Sequence, residues 1–176
     1  IKLASNENPL GVSLKAQEAI MNAAARVNTY PIGNAPALLN RLSQKYSINK
    51  EQLIFSNGSD EMIQMIATTY LNPGEEVISS EHTFSEYEFA TKLFDGRFVA
   101  VPLKNWNHDL EGYLKAITEK TKLIFICNPN NPTGTWVKEQ ELKDFIAAVP
   151  PHIQVVVDQA YCEFATAPEY PEFIAD

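Results

Sequence analysis

Five apolar residues in a row, Leu123-Ile124-Phe125-Ile126-Cys127, constrain this chain more than any other feature, and Ile153-Gln154-Val155-Val156-Val157 repeats them further on. Runs this short read as strands. Runs that are apolar at nearly every position, and not at every second one, belong to strands covered on both faces. Leu53-Ile54-Phe55, Val77-Ile78-Ser79 and residues 97–101, ended by Pro102, carry the same signature. Helical periods lie between them. Residues 59–71 put Met62, Ile63, Ile66 and Ala67 on one face, a helix is expected from Thr83 with Glu86 at capping-box spacing, and another covers 138–148. This alternation predicts an α/β fold: a predominantly parallel sheet with helices on both faces. An extended arm over 2–12 and helices over 13–27 and 36–46 come first.

Composition narrows the function. The chain has 176 residues, enough for one real core, and a net charge of −8, which argues against a nucleic-acid partner because phosphate binding needs a basic face. Two cysteines, Cys127 and Cys162, are too few for a disulfide framework and fit reduced thiols in a cytoplasmic protein. No apolar stretch approaches the roughly 18 residues of a membrane span, and no signal-peptide pattern opens the chain, so no membrane partner is expected. The first residue is Ile1, which fits a trimmed or renumbered piece.

Ligands of open parallel sheets collect at the carboxyl ends of the strands, and three polar clusters fall there. In Ser56-Asn57-Gly58-Ser59-Asp60-Glu61, Gly58 permits a tight turn and the following N–H groups can face an anion. The same residues also fit an ordinary capped helix start. In Asn128-Pro129-Asn130-Asn131-Pro132-Thr133-Gly134, two prolines stiffen a loop suited to holding one side-chain amide still, with Asn131 the candidate. In Asp158-Gln159-Ala160-Tyr161, an acid ends a buried strand and calls for a positive partner, which a protonated pyridine nitrogen supplies. Alone, Asp158 also fits a helix cap or a metal ligand, but no histidine or second acid stands at ligand spacing, and no metal is expected. Nucleotide-binding glycine fingerprints are absent.

Taken together these clusters resemble fold-type I pyridoxal-phosphate-dependent aminotransferases, most closely the histidinol-phosphate aminotransferase family of class II. The likeness runs from Leu3-Ala4-Ser5-Asn6-Glu7-Asn8-Pro9-Leu10-Gly11 through Tyr30-Pro31, Asn57-Gly58-Ser59-Asp60-Glu61 and Thr83-Phe84-Ser85-Glu86-Tyr87 to the C-N-P-N-N-P-T-G loop and D-Q-A-Y-C-E-F. It implies the cofactor pyridoxal 5′-phosphate, with the phosphate on the backbone of Gly58, Ser59 and Asp60. Phe84 would stack on the ring, Asn131 and Tyr161 would hydrogen-bond its phenolic oxygen, and Asp158 would meet its ring nitrogen. Asp158 and Tyr161 are the expected catalytic residues. Tyr30 would reach the neighbouring subunit's cofactor, implying a homodimer, and Asn6 and Glu7 would help cover a small-molecule substrate. Without the resemblance, Phe84 reads as a core residue, Tyr30 as a surface turn residue and the arm as a polar terminus.

Gln159 stands where this family usually has glutamate, and Ile32 where aspartate is common. The larger departure is the lysine that the family links to its cofactor, which lies some tens of residues beyond the D-x-A-Y motif. Here no lysine follows Lys143. The expected organisation is therefore an arm with the first helix over 1–30 and a partial large domain over 31–176, incomplete because the last two sheet strands and the small domain are missing. Such a piece is expected to be inactive alone. The resemblance then implies, for the parent protein, transamination of histidinol phosphate with 2-oxoglutarate in histidine biosynthesis. The alternatives are an aromatic amino-acid aminotransferase, a threonine-phosphate decarboxylase, or a non-catalytic cofactor-binding or interaction module.

Overall fold

The computed structural model describes residues 5–171; Leu3 and Ala4 of the arm motif lie outside them. Four strands, β1 (Glu76–Ser80), β2 (Arg97–Val101), β3 (Thr121–Cys127) and β4 (Gln154–Asp158), form one sheet in the order β2-β1-β3-β4. Every pairing is parallel. Among the described residues six α-helices accompany them: α1 (Leu14–Ala24), α2 (Pro36–Tyr46), α3 (Gly58–Tyr70), α4 (Glu86–Leu93), α5 (Leu110–Ala116) and α6 (Glu139–Ala148).

The alternation of side chains along each strand separates two cores. Val77, Leu123, Phe125 and Cys127 point to one face and pack with Ile63 and Ala67 of α3 and with Tyr87 and Ala90 of α4. Ile78, Ile124 and Ile126 point to the other, against Tyr113 of α5 and Leu142 and Phe145 of α6. The apolar runs are continuous because both faces are covered, as the sequence predicts. At the amino-terminal edge, buried Glu76 receives the Arg97 guanidinium at 3.1 Å and the Thr118 hydroxyl at 2.6 Å, so its charge is met. A close approach fixes α5: a Cβ on Gly112 would lie 2.9 Å from Val101 Cγ1 and 2.8 Å from Asp109 Oδ2.

Three expectations change. Leu53-Ile54-Phe55 forms no strand; Leu53 is extended, but no described segment pairs with these residues and Ile54 is exposed. A strand is a pairing and not a local conformation, so an apolar run without a neighbour cannot complete one. The helix expected from Thr83 starts at Glu86, after Ser85, without a side-chain cap. The Thr83 hydroxyl is engaged elsewhere, donating to Asn130 Oδ1 at 2.8 Å. Helix α5, too short to show a period, is an addition; Asp109 caps it by accepting from the Gly112 N–H.

Candidate active site

A parallel sheet brings its strand ends to one edge, and β3 and β4 are in register to the last pair, Cys127 opposite Asp158. The Asn128 N–H donates to the Asp158 carbonyl at 2.8 Å, so the asparagine loop and the acid leave the sheet together. Helix α3 runs back to β1 through the turn at Asn72–Glu75, which sets its amino terminus at this same edge. There Gly58 takes φ +79°, open to glycine and costly for other residues. Asn57 does not cap the helix; its N–H and amide both donate to the Glu61 carboxylate. The first N–H groups of α3, at Gly58, Ser59 and Asp60, are therefore left without an intrahelical or side-chain acceptor among the described residues.

The loop holds its amides unequally. Asn128 is buried and clamps Val137, accepting from its N–H at 2.8 Å and donating to its carbonyl at 3.3 Å. Asn130, also buried, accepts from Thr83 and donates to the His82 carbonyl and Thr133 hydroxyl. Asn131 is half-buried; its N–H meets Cys127 Sγ at 3.4 Å, and its side chain makes no hydrogen bond with a described residue. The amides held still are thus Asn128 and Asn130, and they leave the Asn131 amide available. Both Asn-Pro bonds of the loop, Asn128–Pro129 and Asn131–Pro132, are cis. Burial raises the Cys127 thiol above its ordinary range, so it stays protonated and donates to the Pro129 carbonyl at 3.4 Å.

Asp158 ends β4, half-buried. Its Oδ2 accepts from the Tyr87 hydroxyl at 2.7 Å and its Oδ1 from the Ala160 N–H at 3.0 Å. No described cation pairs with it, in contrast to Glu76. Phe84 stands edge-on to Tyr87, ring centres 5.8 Å apart, so Phe84, Tyr87 and Asp158 form one contiguous group. On the outer side the Tyr161 hydroxyl accepts from the Asn6 amide at 3.0 Å, which brings the arm onto the D-Q-A-Y segment. Tyr30 is not part of this group: it is fully exposed, and no hydrogen bond or ring contact joins it to another described residue.

Two features escaped the sequence reading. Gln159 uses its amide as a double donor, to the Tyr170 hydroxyl at 3.2 Å and the Pro171 carbonyl at 3.0 Å. Tyr170, pushed up to about 12 chiefly by burial, keeps its proton and donates a hydrogen bond to the Asn128 carbonyl at 2.5 Å. A glutamate at 159, ionised, could donate to neither Tyr170 nor Pro171. The second is a buried trio on the opposite face. His108 Nε2 lies 2.8 Å from the Cys127 carbonyl, which can only accept, so that nitrogen carries the proton. Its Nδ1 is then the acceptor for the Ser80 hydroxyl at 2.7 Å, the Tyr113 hydroxyl lies 2.9 Å from Ser80 Oγ and can donate to it, and burial lowers the imidazole below its ordinary range, keeping it neutral. Neither could be read from a sequence in which positions 80, 108 and 113 share no spacing.

Among the described residues no group of three or more His, Cys, Asp or Glu could hold a metal ion, and no helix is long and apolar enough to cross a membrane. Cys127 and Cys162 are both free.

The family model for aminotransferase class I and II matches residues 1–175. Histidinol-phosphate aminotransferase of Moorella thermoacetica is 49% identical over 99% of this chain, which spans 45% of that protein. The Akkermansia muciniphila protein of the same name is 50% identical over 96% of the chain and 47% of its own length. This chain therefore spans about half the length of the curated relatives it matches. Among solved structures, histidinol-phosphate aminotransferase from Sinorhizobium meliloti in complex with pyridoxal-5′-phosphate superposes with a TM-score of 0.91 at 27% identity, covering 95% of this chain and 46% of that one. The aspartate aminotransferase from Rhizobium meliloti shares the fold, with a TM-score of 0.83 at 17% identity over 96% of this chain and 46% of that one. A parallel sheet whose strand ends gather an acid, an unclaimed amide and an open helix terminus, matched along nearly its whole length, belongs to the aminotransferase class I and II family.

Proposed function

We propose that this chain forms the ring- and phosphate-holding part of a pyridoxal-phosphate-dependent aminotransferase that acts on histidinol phosphate with 2-oxoglutarate, in histidine biosynthesis. The observation that carries the cofactor reading is Asp158, an ionisable acid at the end of a covered strand with no cation beside it among the described residues. A protonated pyridine nitrogen is the partner that such a carboxylate lacks. The rest of the donor set fits the same group: open N–H groups at Gly58, Ser59 and Asp60 for a phosphate, the uncommitted Asn131 amide with the Tyr161 hydroxyl for a phenolic oxygen, and the Phe84 ring for an aromatic face. The relatives' names and their identity to this chain support histidinol phosphate as substrate.

When bound, pyridoxal phosphate supplies an electron-accepting ring that spreads the charge left as a substrate amine loses its α-proton. Asp158 would keep the proton on the ring nitrogen, which sustains that acceptance. Asn131 and Tyr161 would hold the phenolic oxygen, and Asn6, bonded to Tyr161, would tie the arm to the substrate side, with Glu7 beside it in sequence. The eleven lysines include none after Lys143. Lys92, Lys115, Lys122 and Lys143 each pair with a glutamate. The 176-residue chain should therefore bind cofactor without sustained turnover.

Assembly follows from the same reading. Leu10, Val27, Tyr30, Ile32 and Leu38 are all exposed, and a homodimer in which Tyr30 reaches the neighbouring cofactor would cover such a surface. Two free thiols accord with the cytoplasm as its setting.

The test is calorimetric titration of the chain with pyridoxamine 5′-phosphate, which needs no lysine, followed by Asp158→Asn. Saturable binding weakened at least tenfold by the substitution is expected. Absence of binding, or indifference to Asp158→Asn, overturns the cofactor reading. Sustained transamination of histidinol phosphate by the chain alone would overturn the inactivity. Preference for phenylalanine over histidinol phosphate in competition would favour the aromatic aminotransferase.

A further inference from the structure

We propose that Tyr87 is a positioning residue of this site: its hydroxyl holds the Asp158 carboxylate aimed at the cofactor's ring nitrogen. The inference rests on the functional reading above and assigns a part to a residue that reading leaves unused.

Tyr87 is wholly buried. Its ring lies flat on Phe125, centres 4.7 Å apart and planes 7° apart, and Phe84 closes it edge-on. Its position along α4 is pinned because its carbonyl accepts from the Thr91 hydroxyl at 2.6 Å. The ring so held directs its hydroxyl to Asp158 Oδ2 at 2.7 Å. Burial first, and then the neighbouring Asp158 carboxylate, raise the phenol well above its ordinary range, so it remains the donor. An ionised carboxylate only accepts, and a donor to it favours the charged form over the neutral one.

The second oxygen is held from the other side by the Ala160 N–H at 3.0 Å. With a donor on each oxygen the carboxylate plane cannot rotate, while each oxygen keeps a lone pair for a further partner. A satisfied core tyrosine would need only some acceptor. Here the acceptor is the acid that ends β4, with no cation beside it among the described residues, and the same tyrosine touches Phe84, the residue expected against the cofactor ring. One buried side chain thus sets the spacing between the acid and the aromatic face.

The experiment follows the Asp158 side-chain carboxyl by carbon-13 resonance against pH, in the chain without cofactor. Tyr87→Phe keeps both ring contacts and removes only the hydroxyl. It should move the midpoint of that titration upward by about one pH unit, a tenfold change in the protonation equilibrium. Tyr113→Phe, which removes an equally buried hydroxyl from the other core, should leave the midpoint in place. An unmoved midpoint in Tyr87→Phe overturns the proposal. Pyridoxamine 5′-phosphate affinity should fall about tenfold in Tyr87→Phe but less than twofold when the change is made in Asp158→Asn; equal losses in both backgrounds would mark a structural role and also overturn it. If Tyr87→Phe does not fold, the unaltered chain decides: the Tyr87 hydroxyl proton should give a slowly exchanging downfield resonance that Asp158→Asn removes, and its absence defeats the proposal. The carboxyl titration needs no cofactor. If pyridoxamine phosphate does not bind at all, the functional reading fails while that titration still decides whether Tyr87 governs Asp158.

Discussion

The segment before Gly58 and the sheet after it are built by the same rules and end in opposite states. Helix α1 has its cap, Ser13 accepting from the Ala16 N–H, and an apolar face, yet Leu14, Ile20 and Met21 are 83%, 64% and 69% exposed. No described residue before Gly58 is buried. In the sheet, all five residues of β1 are buried, including two serines. Local signals suffice to make a helix, but burial needs a neighbour, and the amino-terminal segment finds few contacts of its own. Leu53-Ile54-Phe55 marks the boundary, since its apolar side chains ask for a strand and nothing described pairs with it.

The strongest way to break this contrast is to remove core volume on each side. Phe125→Ala deletes a ring enclosed between Tyr87 and the α3 face and should cost about 3–5 kcal/mol in urea unfolding. A smaller effect comes from pH. The folded imidazole of His108 is lowered, so below its ordinary value of 6.5 the unfolded chain binds a proton that the folded chain refuses. Stability present above that pH is lost as pH falls toward the folded value, with a slope of at most about 1.4 kcal/mol per pH unit for one group. His108→Gln should flatten that window in thermal scans; an unchanged slope would locate the acid sensitivity elsewhere.

Gln159→Glu sharpens the comparison at the edge of the sheet. It removes the donor to Pro171 and should destabilise by about 1 kcal/mol at neutral pH. Protonated, the new carboxyl can donate again, so its folded pKa lies above its unfolded one. The variant should recover relative to the parent on acidification and lose stability as pH rises through the carboxylate range, read as a melting-temperature difference at two pH values. The least effect belongs to Ile20→Ala, within about 0.5 kcal/mol of the parent in dilute protein. A cost that grows with protein concentration would mean a second copy covers that face.

Much of this was legible beforehand. The strands at 123–127 and 153–157 were visible because continuous apolar runs admit few other folds, and the carboxyl edge followed from parallel pairing. The loop over 128–134 was recognisable by its prolines. Which of its amides is tied down was not, because Asn128, Asn130 and Asn131 are chemically identical and only Val137, Thr83 and His82, distant in sequence, tell them apart. The start of α4 escapes the sequence for the same reason: Thr83 has a capping residue's chemistry, but a partner 47 positions away takes its hydroxyl. The part Tyr87 plays is not legible in the Thr83–Tyr87 motif, since its contact with Asp158 spans 71 positions.

The pairing of Cys127 with Asp158 works as a ruler. Val156 and Asp158 lie on the face shared with Tyr87, while Val155 and Val157 face the other core. Because side chains alternate along a strand, inserting a single residue between Gln154 and Asp158 would turn the acid toward the side of His108 and Tyr113 and swap the valines between cores. An insertion of the same size between Thr133 and Lys138 would leave both strands in register and would instead pull Val137 from the Asn128 amide that clamps it. Where a residue is inserted, more than which residue is substituted, should therefore separate the stretch that sets the acid from the stretch that braces the loop.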